Sequence, residues 1–208
     1  TEDDLVRFVS DIGCCTIDIL PKYPDFPCQG VAMDKDGVLG ETWFWKDDLH
    51  IDRRLYYTRI FAGKPGYISL ELLPAFIATN GAVMDELALT GGATVLEREL
   101  YRLIEEMGPV STKSLKAQLG EEEKRAAAQS LINLECRFLI TKVDITGRER
   151  GTYSYVWNLT ERYCLEALAA SDALGVKRAR VIIQERLASF GIPQDSPFYP
   201  RALGWTVG

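Results

Sequence analysis

The stretch of this chain richest in groups able to do chemistry lies between Thr42 and Glu71. Asp47, Asp48 and Glu71 form a candidate carboxylate set for acid–base work, and His50 is the only imidazole in the sequence. Their context favours structure over catalysis. Adjacent acids after the aromatic run TWFW read as a helix cap at Asp47 or Asp48. His50 lacks a serine or cysteine in a nucleophile–base pattern and reads as a surface or capping residue. Trp43 and Trp45 could stack an unpaired base, although tryptophans two apart more often fill a core or an interface. The runs GVLGET and TGGAT lack the spacing and the lysine of a phosphate loop. Asp34-Lys35-Asp36-Gly37 lacks the third acid and distal glutamate of a calcium loop and reads as a turn. The five cysteines are odd in number and none forms a CxxC pair, so neither a zinc site nor a disulfide framework is expected. No metal or cofactor is implied, and reduced thiols fit a cytoplasmic protein.

A second group has a different chemistry. Lys113, Lys116, Lys124, Arg125, Arg148 and Arg150 are cations able to meet phosphates, and Gln129 and Asn133 carry amides able to read base edges. Glu121-Glu122-Glu123 opens the same region and opposes phosphate, so a merely solvated charged surface is the competing reading. Lys177, Arg180 and Gln184 also share one face at helical spacing and allow the same two readings.

The elements that must position the second group can be traced residue by residue. Thr94 and Glu97 make a capping-box start. Leu96, Leu100, Leu103, Ile104 and Met107 then give one apolar face, closed by Gly108-Pro109. Val110-Ser111-Thr112 leads into a short helix with Leu115 and Leu119, stopped by Gly120, and a third helix spans about Glu121 to Glu135. Two strands come next, Phe138 to Ile145 and Thr152 to Leu159, around a polar loop that carries Arg148 and Arg150. Three helices and a hairpin with a basic tip are the plan of a winged helix-turn-helix. The expected fold class is α+β, mainly helical, with such a domain at 93–160.

Around it lie a 1–92 region and C-terminal helices with an aromatic tail at 161–208. In the first, Glu2 to Ile12 reads as a helix with Leu5, Phe8, Val9 and Ile12 inward, and Cys14 to Leu20 as a strand. Leu49 to Phe61 reads as one helix, and Pro74 belongs in a first helical turn or a kink. Gly91-Gly92 marks the joint. At the C-terminal end, Thr160 to Ala170 reads as a helix, and Asp172 caps another from about Ala173 to Phe190. The tail Ser196 to Trp205 either folds back over an apolar surface or contacts a partner subunit. The chain has a net charge of −6, but residues 1–50 hold eleven acidic and four basic side chains, so the rest is close to neutral. That excludes a uniformly basic nucleic-acid binder while leaving local basic patches open. No apolar run approaches the length of a membrane helix, and Thr-Glu-Asp-Asp at the start is the wrong charge for a signal peptide.

The runs WFWKDDLHIDRRLYYTRIFAGKPGYISLELLP, GPVSTKSLKAQLG and SLINLECRFLITKVDI resemble bacterial proteins related to the AlkZ-type DNA glycosylases, which unhook DNA crosslinks. The resemblance covers about Leu5 to Leu168. It implies a winged-helix protein with DNA as its partner, in repair or regulation. The glycosylases themselves are longer, with tandem winged helices, and carry a Gln-x-Gln or Gln-x-Asp pattern that is lacking here. Thr16-Ile17-Asp18 stands nearest to it, keeping the acid and losing the glutamine. Three readings are open: DNA binding without glycosylase activity, a glycosylase-like enzyme acting through Asp18, or a non-catalytic interaction module that forms a homodimer.

Overall fold

The computed structural model describes residues 1–30, 41–149 and 151–205. The turn expected at Asp34 to Gly37, and Arg150, lie outside the described residues. In chain order the elements are α1 (Glu2–Ile12), β1 (Cys14–Thr16), α2 (Trp45–Ile51), β2 (Tyr56–Phe61), β3 (Lys64–Ile68) and α3 (Leu73–Asn80). Then come α4 (Met84–Thr90), α5 (Val95–Met107), β4 (Val110–Ser111), α6 (Thr112–Ala117), α7 (Glu121–Cys136), β5 (Ile140–Ile145) and β6 (Tyr155–Leu159). The chain ends with α8 (Thr160–Tyr163), α9 (Leu165–Leu174), α10 (Val176–Ala188) and α11 (Phe198–Ala202). The protein is α+β and mainly helical, with two small antiparallel sheets among the described residues. No described helix is long and apolar enough to cross a membrane. Two compact units form, one from residues 1–80 with 167–208 and the other from 81–166.

In the first unit, α1 occupies the expected range because Thr1 and Asp4 make a reciprocal capping box and Gly13 turns out of the helix at φ 92°. Leu5, Val9 and Ile12 are buried, whereas Phe8, expected on the same stripe, is 40% exposed. The side chain of Arg186 donates to the carbonyls of Ser10 and Asp11 and so answers acceptors left open at the end of α1. The expected strand from Cys14 ends at Thr16; the segment beyond bends into the proline-rich turns. The sheet order is β1-β3-β2, with Tyr67 facing Cys15 on one side and Tyr57 on the other. Gly66 is required in the central strand, because a Cβ there would lie 2.5 Å from the Cys15 carbonyl and 2.7 Å from the Phe61 ring.

The single helix expected from Leu49 to Phe61 is instead α2 followed by β2. Arg53 adopts φ 54°, which ends helical propagation, and the adjoining YYTRIF has the aromatic and β-branched content that suits a strand. α2 also starts earlier than expected: Phe44 precedes it, so Asp47 and Asp48 lie inside its first turn and not at the cap. Pro74 does fall in the first turn of α3. Asp172 lies inside α9, and α10 begins after Gly175 at φ 67°. Cys164 interrupts the helix expected from Thr160 to Ala170. The aromatic tail folds back within its unit: Phe198 stacks on Phe26 with centroids 4.9 Å apart, and Tyr199 on Trp205 at 5.1 Å. Asn80 fixes it by accepting from Trp205 Nε1 at 3.0 Å and donating to the Leu203 carbonyl at 2.6 Å.

In the second unit, α5 and α7 enclose one core of Leu100, Leu103, Ile104, Leu115, Ala127, Leu131 and Leu134 with Ile140, Trp157 and Leu159 from the sheet. Thr94 and Glu97 form the expected capping box. Met107, at the end of the expected apolar face, is 44% exposed. Ser111 accepts from the Ser114 amide and caps α6. The sheet order is β4-β6-β5, placing Trp157 between Val110 and Lys142. β5 starts at Ile140 rather than Phe138, because Phe138 turns at φ 53°.

Candidate functional site

The cations and amides picked out in the sequence occupy α6, α7 and the β5–β6 hairpin of the second unit. Lys113 is exposed on α6 and Lys116 is half-buried. On α7, Arg125 and Gln129 stand four residues apart on the exposed face, opposite the buried Ala127, Leu131 and Leu134. Arg148 is exposed in the turn between β5 and β6. That turn is braced internally: the Thr146 amide donates to the Ser154 carbonyl at 2.9 Å, and the Thr146 hydroxyl donates to the Thr152 carbonyl at 2.5 Å.

Lys124, Gln129 and Asn133 have local partners. Lys124 is paired with Glu121 at 2.6 Å, and the lysine beside Glu121 holds that carboxyl below its usual range. Gln129 donates to Asn133 at 2.9 Å, and Asn133 donates to Glu97 at 2.7 Å. The two amides thus form a chain that ties α7 to the cap of α5. Burial raises the Glu97 acid, but the bonds from Thr94 and Asn133, with the charge of Arg137, outweigh it and hold the carboxyl below its usual range.

The structure also assembles a buried polar cluster that sequence reasoning did not single out. Lys142 on β5 is ion-paired with Glu135 on α7, and both side chains are almost wholly inaccessible. The ammonium lies 4.8 Å from the Tyr155 ring centroid and 5.2 Å from that of Trp157. Trp157 Nε1 donates to the Thr112 hydroxyl at 2.8 Å, and that hydroxyl donates to the Tyr155 carbonyl at 3.1 Å. The sequence signal was present in the alternation of ITKVDI, where Lys142 shares a face with Ile140 and pairs across the sheet with Trp157.

The first unit has its own buried cluster. Lys46 and Asp47 pair at 2.6 Å with side chains 0% and 2% exposed. The Lys46 ammonium lies 4.8 Å from the Trp43 ring and 5.7 Å from that of Tyr57. His50, expected as a surface or capping residue, is buried: its Nδ1 accepts from the Tyr57 amide at 3.1 Å, which in the neutral ring places the proton on Nε2. Trp43 and Trp45 are half-buried. Tyr67 is fully buried, and its hydroxyl has no hydrogen-bond partner among the described residues. Burial pushes that phenol well above its ordinary value, reinforced by Cys15, Tyr57 and Asp47. Asp18, the acid nearest the glycosylase pattern, lies just beyond β1 and is exposed to solvent.

An α+β protein with a helix–strand–helix–helix–hairpin unit and a second unit built on a three-stranded sheet is the class these features define. The chain belongs to the AlkZ-related family, whose family model matches residues 1–204. No curated protein and no solved structure matches it.

Proposed function

We propose that this protein binds DNA through a winged helix-turn-helix at residues 93–160, without glycosylase chemistry of its own. One observation carries the reading. The order α5-β4-α6-α7-β5-β6, with β6 between β4 and β5, is the layout in which a winged helix offers its third helix and its hairpin to a duplex. Here the exposed cations Lys113 and Arg125 lie on α6 and α7, and Arg148 lies on the hairpin. Membership of the AlkZ-related family supports DNA as the partner. Lys116, Lys124 and Gln129 complete the proposed contact set, with Arg150 from outside the described residues. Glu121 neutralises Lys124 and Asn133 engages Gln129, which lowers the share of contact these two side chains carry. The exposed position of Asp18 supports binding without base excision.

The test is fluorescence anisotropy with duplex, single-stranded and alkylated DNA over a salt series. Binding is expected at low salt and should weaken steeply as salt rises, because neutralised phosphates release counterions. Arg148→Ala and Arg150→Ala together should lower affinity and flatten the salt slope by about two. No binding to any of these DNAs at low salt overturns the reading. Abasic sites appearing in alkylated DNA, and disappearing with Asp18→Asn, would replace it with the enzymatic one.

A further inference from the structure

We propose that the buried Glu135–Lys142 ion pair is the positioning element of the β5–β6 hairpin, fixing its angle against α7. Its last consequence, the placement of Arg148 for DNA, rests on the function proposed above. A buried ion pair is a poor way to add stability, since apolar residues of similar volume do as well or better. What it supplies is direction, and the surroundings of this pair are arranged for that. Glu135 sits in the last turn of α7 and Lys142 in β5, so the bond joins a helix to a strand seven residues on.

Lys142 is also the last residue before the β5–β6 register shifts: Lys142 pairs with Trp157, and Asp144 with Val156. Val143 is the extra residue of a bulge, the kind of irregularity that bends a strand and re-aims the residues beyond it. The ammonium is held at that bend between the rings of Tyr155 and Trp157 on the neighbouring strand. Trp157 in turn is bonded to Thr112 at the start of α6. One cation therefore connects α7, both strands of the hairpin and, through Trp157, α6. The second carboxylate oxygen of Glu135 is buried with no hydrogen-bond partner among the described residues. Its other oxygen is the one that Lys142 engages. Beyond the bend the chain runs out to Arg148, so the angle set at Lys142 determines where the tip stands relative to Arg125 on α7.

The experiment compares the full chain with Glu135→Leu/Lys142→Met, in which both charges are replaced together, and with Glu135→Gln, which keeps shape and a hydrogen bond but not the charge. Thermal unfolding, amide hydrogen exchange and DNA anisotropy are read for each. The double variant should unfold at the wild-type temperature or above it. Hairpin amides such as Ile145, Thr146 and Tyr155 should nevertheless exchange at least tenfold faster, while α5 amides keep their wild-type rates. Glu135→Gln should show the same regional change at smaller size, and it serves as the deciding variant if the double substitution does not fold. Wild-type exchange in the hairpin of a folded variant overturns the proposal. DNA affinity should fall at least fivefold in the double variant. If the wild-type protein binds no DNA, the functional reading fails, while the exchange result still decides the positioning role.

Discussion

The two units each bury a lysine against a carboxylate between two aromatic rings, yet the pairs differ in what they connect. Lys46 and Asp47 are neighbours on the first turn of α2, so that bond adds no tie between elements. The ring of Tyr57 on β2 adds a tertiary contact to the Lys46 ammonium. Glu135 and Lys142 lie on different elements, and their bond exists only when α7 and β5 have docked. The same ingredients make a locally determined buried charge in one unit and a joint between elements in the other. The comparison separates the cost of burying charge, common to both, from geometric control, which belongs to the second.

The largest effect should come from leaving a charge unpaired. Lys142→Met strands the Glu135 carboxylate in the core, and Lys46→Met removes the cation paired with the buried Asp47. Each should cost about 3–5 kcal/mol, measured by denaturant unfolding. The pairs should then part company. Removing both charges at 135 and 142 should restore stability to within about 1 kcal/mol of wild type, with the hairpin loosened. A loss in the double variant as large as in Lys142→Met would mean that the pair stabilises and does not merely direct.

Trp157→Phe sharpens the same contrast, because it keeps a ring beside Lys142 and deletes only the bond to Thr112. A cost of about 1–2 kcal/mol is expected, with a smaller change in hairpin exchange than the double variant gives. A larger change would transfer control of the hairpin from the ion pair to the indole bond.

Thr94→Ala probes a purely local device in the second unit. Losing the hydroxyl that receives the Glu97 amide should cost about 1 kcal/mol and leave hairpin exchange untouched. The same cap predicts a pH dependence. Glu97 titrates below its unfolded value, so its contribution is complete above the ordinary carboxylate range and is lost as pH falls through the lowered value. The acid limb of the stability–pH curve should therefore be shallower in Thr94→Ala than in wild type.

These cases show which features can be read from sequence. The α5 cap was legible because Thr94 and Glu97 are three residues apart and their bonds close within one turn. So was α1, where the spacing of Leu5, Val9 and Ile12 marks the helix and Gly13 its end. The helix expected from Leu49 to Phe61 went astray because its apolar spacing fits either period, while the deciding backbone turn at Arg53 has no reliable signature in residue type. The exposed cations could be named in sequence because charge on a polar helix face is a local property. The buried pairs could not be named as pairs: the alternation of ITKVDI puts Lys142 on the face of Ile140, but nothing local points to its partner. Lysine and glutamate are ordinarily solvated, and only the docking of α7 on β5, or of α2 on its sheet, removes the water. His50 was misplaced for the same reason, since its partner is the backbone of β2, an element not foreseen.

The smallest effect isolates a polar group that belongs to neither pair. Tyr67 lies in the central strand of the first sheet, between Cys15 and Tyr57, and its hydroxyl is buried without a partner among the described residues. A hydroxyl taken out of water and given nothing in return opposes folding, whereas the ring that carries it contributes its full apolar area. Tyr67→Phe keeps the ring and removes the cost, so stability should be unchanged or rise by up to about 1 kcal/mol. Asp47 acts on the charged form of the phenol, and the phenol is neutral where stability is measured, so Lys46→Met should cost nearly the same in the Tyr67→Phe background as in wild type. A loss of stability in Tyr67→Phe would mean that the phenol is satisfied in solution, by a bound water for example. A non-zero cycle would make it part of the Lys46–Asp47 network and turn the first unit's local pair into a joint of the kind found in the second.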